Sequence, residues 1–117
     1  MNTRLPVERR AQLLLRQMTL EEKFWQLYMA PGDPRADSTW KHGAFGLQLL
    51  SLREPTAKLG DAAATANAVQ RWFIDSTRLG VPVILFEEGV HGLMQSHATI
   101  FPAAIGFAAS WDTTAVR

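Results

Sequence analysis

Glu87 and Glu88 stand side by side after the apolar run Val81-Pro82-Val83-Ile84-Leu85-Phe86, and Gly89, Val90, His91 and Gly92 follow directly. This is the densest concentration of reactive groups in the chain. A carboxylate in such a place accepts hydrogen bonds from hydroxyls such as those of a sugar, and the glycines let the backbone approach a ligand. A plainer reading competes: a solvated carboxylate at a strand end and a loop histidine that caps a carbonyl. On these residues alone the plainer reading is the stronger.

The two glutamates do not make a catalytic pair. Retaining cleavage of a glycosidic bond needs two carboxyls about 5–5.5 Å apart across the scissile bond. Neighbours on a strand point to opposite faces, so only one of these can enter a site. Elsewhere, Glu8, Glu21, Glu22 and Asp61 are expected on exposed helix positions or caps, and Asp33 and Asp37 in turns. A metal site built from Glu88, His91 and His97 is conceivable. Glycines flank the set, however, its spacing fits no helical Glu-x-x-His motif, and nothing visible would orient the ligands, so no metal is expected. Serine-nucleophile and phosphate-loop motifs are absent. Trp25 and Trp72 read as packing residues, and Trp40, in a loop, is the one aromatic kept as a sugar-stacking platform.

These groups need elements to hold them. A first helix is expected from about Pro6 to Gln17, with Val7, Ala11, Leu14 and Met18 at helical spacing and Pro6 at its first position. Thr19 and Glu22 form a capping box for a second helix, whose apolar face is Leu20, Phe24, Leu27 and Tyr28. Ala30-Pro31-Gly32-Asp33-Pro34 ends it and opens a loop. A strand is expected from Ala44 to Leu50, with Phe45, Leu47 and Leu49 on one face. A turn around Arg53-Glu54-Pro55 leads to a helix over roughly Lys58 to Leu79. Ala62, Ala66, Val69, Phe73 and Thr77 line its buried side, and Gly80 and Pro82 end it. Val81 to Phe86, apolar without alternation, predicts a strand covered on both faces. A short alanine-rich segment runs to Ser110, and Asp112 is expected to cap a helix over Thr113 to Arg117. The order is that of a βαβ unit with a helical lead-in, and in parallel sheets ligands sit at the carboxyl ends of strands.

Bulk composition narrows the field. The chain has 117 residues, 47% hydrophobic and 20% charged, an ordinary globular balance for one small domain. A net charge of +1 provides no footprint for nucleic acid or a membrane surface. The absence of cysteine excludes disulfides and thiolate chemistry and fits a reducing compartment. Arg9, Arg10, Gln12 and Arg16 interrupt any signal-type apolar core near the start, and Glu8 speaks against a transit peptide. A cytoplasmic protein is expected.

Four stretches together resemble glycoside hydrolase family 3. Met18-Thr19-Leu20-Glu21-Glu22-Lys23 resembles the opening helix of that family. Asn67-Ala68-Val69-Gln70 through Thr77-Arg78-Leu79-Gly80-Val81-Pro82 resembles the helix leading into its second strand. Glu88-Gly89-Val90-His91-Gly92 is similar to its Asp/Glu-x-x-His-Gly loop, and Phe101-Pro102 through Ser110-Trp111-Asp112 to its Phe-Pro and Thr-Trp-Asp segment. The resemblance implies an α/β fold. Residues 1–117 would be the N-terminal part of a (β/α)8 barrel domain, supplying its first two strands with leading and connecting helices. It also implies retaining hydrolysis of β-linked glucosides, xylosides or oligosaccharides without a cofactor. Glu88 matches the acid that contacts the sugar, with His91 and Gly92 shaping its loop. The family's nucleophile and acid/base lie further along than these residues, so the chain by itself is expected to be inactive. A second chain could carry the missing strands. A non-catalytic sugar-binding or interaction module is the alternative.

Overall fold

The computed structural model describes residues 3–35, 38–54, 58 and 60–115. Asp37, Pro55, Val116 and Arg117, which figured in the expected turns and last helix, lie outside the described residues. Among the described residues, four α-helices and three short strands run in the order α1 (Val7–Gln17), α2 (Leu20–Trp25), β1 (Met29–Pro31), β2 (Gly46–Gln48), α3 (Asp61–Ser76), β3 (Ile84–Leu85) and α4 (Ala104–Ser110). Short 3-10 turns at Ser38–His42 and Leu50–Arg53 flank β2.

The strands form one parallel sheet in the order β1-β2-β3, with Met29 opposite Gly46 and Gly46 opposite Ile84. This is an α/β unit, but the described residues form no closed barrel. They also contain three strands rather than the expected two. The extra strand is β1, which falls in the segment expected to be a loop. Nothing in Met29-Ala30-Pro31 has strand periodicity; pairing with β2 imposes the extended form. Pro31 is tolerated because the rung to the Gln48 carbonyl comes from the next residue, the Gly32 N–H at 3.1 Å, so the missing N–H costs no bond to β2.

Helix α2 stops early for the same reason. The carbonyls of Trp25 and Tyr28 both accept from the Phe45 N–H, at 3.1 and 3.2 Å, and Tyr28 also takes the Gly46 N–H at 3.0 Å. Those carbonyls serve β2 instead of a longer helix. The expected apolar face of this helix is inverted: Leu20, Phe24, Leu27 and Tyr28 are exposed, and Glu22 is the buried residue of α2. Helix α1 also buries none of its residues, and Pro6 is its N-cap rather than its first helical residue.

The core lies between α3 and the sheet, where Leu47, Leu49, Val69, Phe73 and Val83 are buried with Trp40 and Ala44. Val69 and Phe73 are the expected helical stripe, four residues apart on one face. Gln70, one position round the helix, brackets the Val83 peptide. Its Nε2 donates to the Val83 carbonyl at 2.6 Å and its Oε1 accepts the Val83 N–H at 3.2 Å. β3 is covered on one side only. Val83 is buried while Ile84 is 52% exposed, so the uniform greasiness of 81–86 does not mean two covered faces here.

With a radius of gyration of 18.3 Å the unit is more open than the ~13 Å of a compact domain of this size. Val90, Ile100, Phe101 and Ile105 are exposed along the C-terminal stretch. No helix among the described residues is long and apolar enough to cross a membrane.

Candidate functional site

The carboxyl ends of β2 and β3 carry the polar groups, because parallel strands deliver their following loops to one edge of the sheet. Leu47 accepts the Phe86 N–H at 3.2 Å, the last backbone rung between β2 and the end of β3. Beyond it side chains take over. Glu87 Oε2 accepts from Arg53 Nη2 at 2.9 Å and from Gln48 Nε2 at 3.3 Å. Arg53 comes from the 3-10 turn after β2 and Gln48 from the end of β2 itself, so one carboxylate ties two strand ends together.

The two neighbouring glutamates, which lie just beyond β3, therefore part company. Glu87 keeps only 13% of its side chain exposed and is neutralised by Arg53. Glu88 is exposed. Glu87 also helps line a cavity of about 380 Å³ between α3 and the sheet edge, walled otherwise by Leu49, Ala62, Ala66, Leu85, Phe86 and Gln95.

The loop after Glu88 folds back on itself. Gly92 N–H donates to the Gly89 carbonyl at 3.3 Å, and the His91 carbonyl accepts the Phe101 N–H at 2.6 Å. The second bond joins two stretches that the sequence shows only as separate motifs. Gly92 adopts φ +84°, and a Cβ there would lie 2.6 Å from the Thr99 carbonyl oxygen, so a side chain is excluded on two counts. The His91 ring is exposed, and the backbone of this residue makes the tie to Phe101.

The remaining candidates separate clearly. Trp40 is not a platform for a ligand: it is 5% exposed and packs against Trp25 at a centroid distance of 5.9 Å. A Cβ on Gly32 would sit 2.6 Å from its ring, so this glycine makes room for the indole. Asp33 closes a turn, its Oδ1 accepting the Arg35 N–H and Nε, both at 2.9 Å. Those bonds hold its carboxyl below the usual range. Asp61 accepts the Lys58 N–H at 2.7 Å ahead of α3. No group of three or more potential metal ligands comes together among the described residues.

Sequence reasoning missed Arg53, Gln48 and Gln70 as partners. Arg53 was legible only as a turn residue, because its partner lies 34 positions away.

A family model described as the glycosyl hydrolase family 3 N terminal domain matches residues 19–117. No curated protein matches the chain.

Proposed function

Since the chain belongs to glycosyl hydrolase family 3, through the N-terminal domain of that family of glycoside-cleaving enzymes, we propose that it supplies a sugar-contact loop to a retaining β-glycosidase. Glu88 is the contact residue, and it accepts hydrogen bonds from sugar hydroxyls. His91 and Gly92 shape its loop. The substrates are β-linked glucosides, xylosides or the corresponding oligosaccharides.

One observation carries the reading. Of two adjacent carboxylates at the carboxyl end of β3, Glu87 is withdrawn onto Arg53, and Glu88 alone is left exposed. A ligand at that edge would meet a free carboxylate on a loop closed by the His91–Phe101 bond. Glu88 is assigned substrate contact alone, and the displacement chemistry is assigned to other residues. In that chemistry a nucleophilic carboxylate forms a glycosyl–enzyme intermediate that water then hydrolyses.

The sheet supports a barrel as the larger architecture. Its three strands lie in sequential order and all run parallel, the arrangement with which a (β/α)8 barrel opens. The exposed Ile84 and the open edge of β3 favour packing against further strands, from the same polypeptide or from a second chain.

The test is a titration of the chain and its Glu88→Ala variant with methyl β-xyloside and methyl β-glucoside, followed by calorimetry. Saturable binding that the variant loses supports the reading. Equal binding by both proteins, or none by either, sinks it. Hydrolysis of a nitrophenyl β-glucoside by the purified chain would overturn the division of labour.

A further inference from the structure

We infer that Glu87 is a positioning residue, clamped by Arg53 and Gln48 so that the following residue, Glu88, is presented outward at a fixed place. The inference rests on the sugar-contact reading of Glu88.

β3 is only two residues long, and its last rung to β2 is the Phe86–Leu47 bond. A strand end so short is free to twist, and a twist at residue 87 re-aims residue 88. The Glu87 carboxylate prevents it by receiving donors from both the end of β2 and the turn after it. Pinning Glu87 inward fixes the backbone from which the adjacent, exposed Glu88 projects. At the far end the loop is held by the Phe101 N–H on the His91 carbonyl. Glu88 thus lies between two anchors.

The clamp is a poor device for stability alone. Arg53 Nε and Glu87 Oε1 are both buried without a hydrogen-bond partner among the described residues, so the pair is only partly compensated for losing water. An apolar pair of similar volume would serve packing at least as well. What the ion pair adds is direction: donors from two separate segments, Gln48 and Arg53, meet on one carboxylate oxygen and draw the side chain to that side.

The experiment compares the isotope-labelled chain with its Glu87→Gln, Arg53→Met and Arg53→Lys variants, using methyl β-xyloside as the probe. It reads sugar affinity, amide hydrogen exchange at Glu88 to Gly92, and the unfolding midpoint. The expected result is a loss of affinity on the order of tenfold or more for Glu87→Gln and Arg53→Met, the scale at which misplaced groups act. Exchange at Glu88 to Gly92 should rise, and Arg53→Lys should recover part of both effects. Wild-type affinity and exchange in Glu87→Gln and Arg53→Met would overturn the inference. So would affinity that merely follows the unfolding midpoint without recovery in Arg53→Lys. If Arg53→Met fails to fold, Glu87→Gln and Arg53→Lys decide. A wild-type chain that binds no sugar sinks the functional reading, and the exchange data then judge the clamp separately.

Discussion

Glu22 and Arg78 meet across 56 positions of sequence, with Arg78 Nε on Glu22 Oε1 at 2.9 Å and Arg78 Nη2 also on the Gln17 carbonyl at 2.6 Å. Glu22 simultaneously accepts the Thr19 N–H at 2.8 Å, completing the capping box of α2. One carboxylate thus caps a helix and anchors the turn between α3 and β3 to the start of the chain. The glutamate of the Thr-Leu-Glu-Glu stretch and the arginine of the Thr-Arg-Leu-Gly stretch are structural partners.

This pair predicts acid sensitivity. The Arg78 guanidinium above all, then the Thr19 amide and a smaller contribution from His42, hold the Glu22 carboxyl below its ordinary 4.5, with burial opposing them. A lowered folded value means the stabilisation is present above 4.5 and drains away as pH falls through the folded value. Thermal unfolding followed from neutral pH into acid should show a steeper loss for the wild type than for Glu22→Gln. Parallel curves would contradict the assignment.

The cap itself can be tested separately. Thr19 Oγ1 accepts the Glu22 N–H at 3.2 Å. Thr19→Ala should cost about 1 kcal/mol in urea denaturation, and Thr19→Ser should recover most of it.

Gln70→Ala leaves the Val83 N–H and carbonyl without their side-chain partner at a part-buried place. The expected cost is about 1–3 kcal/mol for each group left unpaired. Gln70→Glu keeps an acceptor for the N–H but sets a carboxylate against the Val83 carbonyl, so it should not rescue. Denaturant midpoints of the two variants check both statements.

Gly32 and Trp40 should behave as a packing pair. Gly32→Ala pushes a methyl into the indole and should cost about 1–3 kcal/mol, with a change in near-ultraviolet circular dichroism. Trp40→Leu should lower stability while leaving the sugar affinity of the folded protein unchanged. A selective loss of binding would return Trp40 to the site.

Gly92→Ala combines strain with a clash. An alanine in the left-handed region carries on the order of 1–2 kcal/mol of backbone cost, before its methyl meets the Thr99 carbonyl. The variant should disrupt the His91–Phe101 bond, visible as faster exchange of the Phe101 amide, and weaken sugar binding.

The sequence by itself determined what depends on near neighbours. The capping box at Thr19 and Glu22, the stripe of Val69 and Phe73, the turn at Asp33 and the glycine-bearing loop after β3 are each set within a few residues. The tertiary structure decided what depends on distant partners. β1 exists only because β2 lies beside it, and Trp40 is a core residue only because Gly32 and Trp25 come round to meet it. Glu22 is buried because Arg78 arrives from the other end of α3. Of two similar glutamates, Glu87 is clamped and Glu88 exposed because Arg53 reaches one side of the sheet edge and not the other. Periodicity records which way a side chain points, whereas burial and pairing depend on what the rest of the chain brings opposite it.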